Sequence, residues 1–159
     1  MRKKLFGGWV PDRAGWGLID ARTGKAVNPI DLVSDEKIEM SDWELQDFAV
    51  QVVRTQLEKE GFKLMSWQGN PNVDPAIWFI GENRRPEWVV VRVSRDLEEE
   101  VVRPSNWKEI AAGCASTGKI GHFAPVTVFS ADGLFNFESE EPAPLYRGHA
   151  MQVEYEGLE

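Results

Sequence analysis

The chain has 159 residues, of which 42% are apolar and 28% charged, and it carries a formal net charge of -8. That length buries a hydrophobic core without disulfide bridges, and the composition is that of an ordinary globular protein. The negative charge disfavours nucleic acid as a partner, since nucleic-acid binders usually present a basic surface. With one cysteine and no apolar segment of export or membrane-spanning length, we expect a cytoplasmic protein that does not contact a membrane.

The chain is expected to form a single domain over residues 1–159 with three parts. Residues 1–35 are predicted to be an N-terminal arm with a β-hairpin, whose turn is the Arg-Thr-Gly-Lys stretch at 22–25. Residues 41–130 are predicted to hold the core. Residues 131–159 are predicted to be a C-terminal β extension.

Two helices are predicted within the core. Ser41 and Glu44 form a capping box, and apolar residues then recur at helical spacing, which predicts a helix over about 41–60. Its predicted apolar face contains Leu45, Phe48, Ala49, Val52, Val53 and Leu57. A second helix is predicted from about residue 105, with an apolar face formed by Trp107, Ile110, Ala111 and Cys114.

The strands follow from short runs of apolar residues between glycine- and proline-rich turns. They are predicted at 62–67, 76–80, 87–94, 124–130, 134–137 and 151–155. The first three are separated by short turns, which predicts an antiparallel meander. A helical crossover then places the fourth strand parallel to a neighbour. The expected fold class is therefore α/β, an α+β arrangement in which helices pack on a mixed sheet.

This order of helix, three strands, helix and strand resembles the core of the PD-(D/E)xK superfamily, which has the restriction-endonuclease-like fold. The resemblance covers about residues 41–130. It includes Asp74, in Asn-Val-Asp-Pro-Ala at 72–76, which stands where that family places a metal-binding aspartate at the head of the second strand. The family's E-x-K or D-x-K triplet falls on Val90, Val91 and Arg92.

The resemblance implies hydrolysis of a phosphodiester with the help of Mg²⁺ or Mn²⁺, and the triplet departs from what that chemistry needs. Two carboxylates hold the cation and a lysine orients or activates the attacking water. Val90 offers no oxygen ligand, and Arg92 stays protonated. Two other carboxylates are candidates, Glu44 and Glu87. Glu44 already has a role in the capping box, and Glu87 lies three positions before Val90, so a regular strand directs it to the opposite face.

Asp74 and Arg92 each have two interpretations. Asp74 is either a remnant of a metal site or a turn residue that bonds local backbone amides. Arg92 lies on an apolar strand and needs a partner, for which Asp74, Glu44 or a ligand anion are the candidates. We expect a structural ion pair or hydrogen-bond network where relatives keep a metal, and hence a fold without cleavage activity.

Three functions are therefore in competition. The first is a non-catalytic nuclease-fold protein that acts as a binding or regulatory module, with no cofactor. The second is an acidic partner protein, such as an immunity or inhibitor protein, that uses the acidic clusters at 35–47 and 138–159. The third is an active Mg- or Mn-dependent nuclease in which Glu87 or Glu44 joins Asp74.

Other reactive residue types give no stronger motif. His122 and His149 have no second ligand at zinc-binding spacing, and Cys114 lies on the apolar face of its helix, where a buried thiol is expected.

Overall fold

The structure is a computed structural model that describes residues 2–3, 9–10, 22–25, 36–131 and 143–159. The chain divides into two compact units, Met1–Lys37 and Ile38–Glu159. The prediction of one domain over the whole chain stays a prediction.

The first unit contains two short strands, β1 at Arg2–Lys3 and β2 at Trp9–Val10, which pair antiparallel. Gly24 has a φ of 67°, a conformation that glycine allows in the predicted turn at 22–25. The strands predicted on either side of that turn lie outside the described residues.

The second unit contains a mixed sheet and two helices, as the sequence predicted. The elements in chain order are α1 (Asp42–Lys59), β3 (Lys63–Trp67), β4 (Ile77–Ile80), β5 (Pro86–Ser94), α2 (Trp107–Cys114), β6 (Ile120–Ser130) and β7 (Met151–Glu154). The five described strands of this unit form one sheet, in the order β3-β4-β5-β6-β7. The meander β3-β4-β5 is antiparallel, β6 runs parallel to β5, and β7 is antiparallel to β6. The strand predicted at 134–137 lies outside the described residues.

Helix α1 begins at the predicted capping box. Ser41 accepts a hydrogen bond from the backbone N–H of Glu44, and the Glu44 carboxylate accepts one from the backbone N–H of Ser41. The buried face is rotated relative to the predicted one, because it contains Gln46 and Val50 while Phe48 is only partly buried. Within the described ranges, no helix is both long and apolar enough to cross a membrane.

The sheet has a core on each face. On one face, apolar residues of α1 pack on alternate residues of β5 and β6, such as Val89, Val91 and Val126. On the other face, Ile110 and Cys114 of α2 pack on the intervening residues, which are Trp88, Val90 and Phe123. Strand alternation therefore sends Val89 and Val91 towards α1, and Val90 towards α2. The sheet is buried on both faces, which explains the continuous apolar run in β5.

Strand β6 begins at Ile120, four residues before its predicted start. From there it pairs with β5, starting opposite Glu87, and a close approach lies at this end of the ladder. Gly121 lies against the indole of Trp88, and the Trp88 Nε1–H donates to the carbonyl of Gly118 at 3.1 Å. Gly121 thus makes room for the indole of Trp88, whereas a Cβ at Gly118 would meet the carbonyl oxygen of Pro86.

We predict that Gly121→Ala destabilises the protein, because a Cβ at this position would lie 2.1 Å from Cζ2 of Trp88. The expected loss in free energy of unfolding is about 1–3 kcal/mol, measured by urea denaturation. The matched control is Gly113→Ala in α2, where a Cβ would meet no atom within 4 Å. That change should stabilise by up to about 1 kcal/mol through helix propensity. Equal effects of the two changes would contradict the packing described here.

Candidate functional site

The candidate site lies where β5 continues beyond its neighbour β4. The ladder between these strands pairs Ile77 with Val89, and the N–H of Ala76 donates to the carbonyl of Val89 at 2.9 Å. β5 then runs on to Ser94, paired with β6 alone. A cavity of about 490 Å³ lies along this open edge, and it is called the edge cavity below. Its lining includes Leu45, Gln46, Pro71, Arg92, Val93 and Ser94.

The carbonyl of Val91 lies at the open edge and is bonded by two side chains. Gln46 donates its Nε2–H to this oxygen at 3.0 Å, and Arg92 donates an Nη1–H at 2.9 Å. Gln46 approaches from the side of α1, whereas the side chain of Arg92 leaves β5 on the side of α2 and turns towards the edge. Two side chains thus take the place of a neighbouring strand, which explains why a glutamine is buried on the apolar face of α1.

Asp74 and Arg92 form a bidentate ion pair beside this edge. Nη1 and Nη2 of Arg92 lie 2.9 Å and 2.5 Å from Oδ1 and Oδ2 of Asp74. The expected partner of the arginine is therefore Asp74, and both carboxylate oxygens are in use. The side chain of Arg92 is 28% exposed and that of Asp74 is 15% exposed. Solvent therefore screens the pair, which contributes on the order of 1 kcal/mol to the free energy of unfolding.

The other two triplet positions have packing roles. Val90 is fully buried between β5 and α2, beside Ile110 and Phe123, and Val91 is fully buried in the core beneath α1. Both side chains are buried among apolar neighbours and offer no oxygen ligand. Arg92 is thus the triplet residue whose side chain lines the edge cavity.

Glu44 is held by Arg147, which no local sequence pattern connects with it. Arg147 Nε lies 2.8 Å from one carboxylate oxygen of Glu44, and Arg147 Nη2 lies 3.0 Å from the other. These hydrogen bonds to Arg147, followed by those from the backbone and hydroxyl of Ser41, lower the pKa of Glu44 to about 2. The candidate carboxylate is engaged at the start of α1 and is not a partner of Arg92.

Glu87 lies on the face of the sheet that packs on α1, as its position in the strand predicted. Its carboxylate is 2.7 Å from Nε2 of His122, and it is 10% exposed. The ring of His122 also stacks on Phe79, with ring centroids 5.7 Å apart. No local sequence pattern indicates this pair, because the two residues belong to different strands. The parallel register, in which Val89 lies opposite His122, would have revealed it.

Arg95, at the end of β5, ties this strand to the start of α1. It donates to Glu39 and Asp42, each at 2.9 Å, and to the carbonyl of Met40 at 2.8 Å. These contacts position the α1 wall of the edge cavity relative to its floor. The sequence does not predict these contacts, since no local pattern links residues more than 50 positions apart.

The remaining candidates for reactive chemistry are a cysteine and a histidine. Cys114 is buried against the sheet, and burial, with a smaller effect of the nearby Asp74 charge, raises the pKa of its thiol. His149 is exposed, with its ring against that of Tyr146. Among the residues that the structure describes, no group of three His, Cys, Asp or Glu side chains is placed to hold a metal ion.

The chain belongs to the family described as the domain of unknown function DUF8840, whose model matches residues 43–159. The match contains the whole sheet of the second unit, all of α2, and α1 apart from its first residue, Asp42. It also contains every lining residue of the edge cavity except Asp42. No curated protein and no solved structure matches the chain.

We predict that Arg147→Gln raises the pKa of Glu44 from about 2 towards its ordinary value of 4.5, since the arginine is the largest cause of the shift. In the wild type the folded-state pKa is lowered, so the ionised carboxylate stabilises the fold above about pH 4.5. That contribution is lost as the pH falls through about 2. The measurement is an NMR titration of the Glu44 side chain.

The control for this titration is Arg54→Gln, which removes a cation that lies beside Glu58 on the same helix. It should leave the pKa of Glu44 unchanged. If both variants shift that pKa alike, the cause is the general field of the protein and not the contact with Arg147.

Proposed function

We propose that this DUF8840 protein is a nuclease-fold protein of the PD-(D/E)xK type that has no catalytic activity and acts as a binding or regulatory module. Three features support the proposal. The order of α1, the antiparallel meander β3-β4-β5, α2 and the parallel strand β6 is the order on which the resemblance rests. Asp74 precedes β4, the second strand of the meander. The edge cavity lies directly beside it.

The observation that carries the absence of catalysis is the ion pair between Asp74 and Arg92. A carboxylate whose two oxygens both accept hydrogen bonds from a guanidinium has its charge compensated, and a divalent cation would have to displace that partner. The residues that would complete a metal site are a buried valine at 90 and an arginine at 92, which does not release its proton.

A nuclease with a migrated carboxylate has less support. Glu44 is bonded to Ser41 and Arg147, and Glu87 pairs with His122 on the opposite face of β5 from the side chain of Arg92. Neither is a hydrogen-bonding partner of the Asp74 and Arg92 pair.

The test is a titration of Mn²⁺ into the wild type, Asp74→Asn and Arg92→Gln, followed by tryptophan fluorescence. Trp67, Trp78 and Trp88 lie in the strands of the meander and report on the region. We expect no saturable binding at micromolar Mn²⁺ in the wild type. Arg92→Gln is the informative control, because it frees the Asp74 carboxylate from its cation.

Saturable micromolar binding by the wild type, lost in Asp74→Asn, would overturn the proposal. The protein would then be assayed for Mg- or Mn-dependent cleavage of DNA and RNA. Binding only in Arg92→Gln would instead support the view that the arginine replaces the metal.

A second candidate, an acidic partner protein, is favoured by one specific surface. Glu154, Glu156 and Glu159 are exposed around a cavity of about 620 Å³ formed by the end of β7 and the residues after it. The other acidic cluster, at 35–47, is less available, since Arg95 and Arg147 pair with three of its carboxylates. Glu159 lies 3.9 Å from Arg103, so steering of a basic partner would depend mainly on Glu154 and Glu156.

This second candidate predicts binding of a fluorescein-labelled octalysine peptide that weakens as salt is raised from 20 to 200 mM. Replacing both Glu154 and Glu156 with Gln should weaken the binding by about two- to tenfold. The matched control replaces Glu98 and Glu100, two other exposed acids, with Gln. Equal losses in both double variants would mean that only the net charge matters, and the cavity would then have no role as a partner site.

A further inference from the structure

At the floor of the edge cavity, the backbone of β5 has N–H and carbonyl groups that no neighbouring strand among the described residues pairs. The carbonyl of Val89 faces β4, and alternation along the strand directs the backbone groups of Val91 and Val93 to the same edge. The carbonyl of Val91 is bonded by Gln46 and Arg92. No hydrogen bond joins the N–H or carbonyl of Val93 to another described residue on that side. Val93 is half-buried and lines the cavity.

The side chain of Arg92 also has bonding capacity left. A guanidinium has five N–H groups, and in Arg92 three of them bond to Asp74 and to the carbonyl of Val91. The two that have no acceptor among the described residues are the Nε–H and one Nη2–H. These two N–H bonds are parallel and form the lateral fork of the guanidinium, which matches the two oxygens of a carboxylate. Arg92 thus binds Asp74 through one fork and offers a second to the cavity.

The charges around the cavity limit the class of ligand. Its far end, past the last residue of β5, contains Asp96 and Glu99, whereas Asp42 on the α1 side is paired with Arg95, which also lines the cavity. Asp96 and Glu99 repel a polyanion such as nucleic acid. A ligand that complements the cavity has one carboxylate near Arg92 and a cationic group near Asp96 and Glu99. In an extended chain, which rises roughly 3.3 Å per residue, these two groups are about two to four residues apart.

We propose that the edge cavity binds a short extended peptide, which adds a strand to the open edge of β5 at Val93 and places an acidic side chain on the lateral fork of Arg92. Backbone pairing supplies affinity in this mode of recognition, and side chains at alternate positions supply specificity. A basic side chain of the peptide lies near Asp96 and Glu99. The proposal deepens the proposed function and depends on it in one respect, namely that Asp74 holds Arg92 and not a metal ion.

The experiment selects a phage-displayed pool of random heptapeptides on the wild-type protein. Enriched sequences are synthesised with blocked ends and a fluorescein label, and their binding is measured by fluorescence anisotropy. We expect an Asp or Glu at one fixed position of the enriched sequences and dissociation constants that two variants raise about tenfold or more. The chemical shift of the Val93 amide in the wild type should move on addition of peptide.

The two variants remove the two recognition elements separately. Arg92→Lys keeps a cation for Asp74 but has no second fork. Val93→Pro removes the N–H at the open edge, a position where the fold makes no use of it. Val93→Thr keeps that N–H and the shape of the side chain, so it should bind peptide like the wild type. Thermal unfolding of each variant shows whether it is folded.

Three outcomes would overturn the proposal. One is that the wild type enriches no peptide beyond what the Val93→Pro protein enriches. Another is that enriched peptides bind Arg92→Lys and Val93→Pro as tightly as the wild type, with no shift at Val93. The third is that the wild type binds a labelled 12-nucleotide single-stranded DNA but no peptide, and that Arg92→Lys abolishes the DNA binding. The lateral fork of Arg92 would then bind phosphate and not a carboxylate.

The Mn²⁺ titration separates this proposal from the function on which it rests. Metal binding at Asp74 would overturn the non-catalytic function whatever the peptides do. Absence of peptide binding without metal binding would overturn only the peptide site.

Discussion

The structure of the second unit depends on how a central strand satisfies its backbone where its neighbour stops. A peptide group inside a protein needs a hydrogen-bonding partner, and β5 continues past Val89 without one from β4. Gln46 and Arg92 bond the carbonyl of Val91 from opposite faces. Arg92 in turn fixes Asp74, and the loop before β4 with it. The unfinished ladder thus connects α1, this loop and the edge cavity through Gln46, Arg92 and Asp74.

The helices and the meander were predictable because their signals are local. The capping box at Ser41 set the start of α1, and short turns between apolar runs set the antiparallel pairing. The early start of β6 was not predictable, since residues 120–123 pair with β5, which is distant in the chain. Predictions from one sequence thus hold where a pattern and its cause lie within a few residues, and they fail where a distant side chain decides.

The same distinction applies to the candidate site. The partner of Arg92 was among those expected, because a charged side chain on an apolar strand requires a counter-charge and the choice was small. The partner of Glu87 was not, because nothing in the sequence fixes the register between β5 and β6. Placing Asp74 depended on a resemblance, and the structure adds that its carboxylate is compensated by Arg92. The nuclease-fold proposal therefore depends on the order of the elements and on the position of Asp74, whereas the peptide proposal depends on the edge cavity.

The segment that leads into α1 is anchored by a much later part of the chain. Met40 donates its N–H to the carbonyl of Leu145, Arg147 donates to that of Ile38, and Arg147 binds Glu44 across 103 positions. Closing so large a loop costs entropy before any contact compensates for it, and topologies with such distant pairings fold slowly. On the ribosome, the start of α1 has to wait for about a hundred further residues before this anchor forms. One wall of the edge cavity is thus completed late in biosynthesis, after the meander has had time to pair.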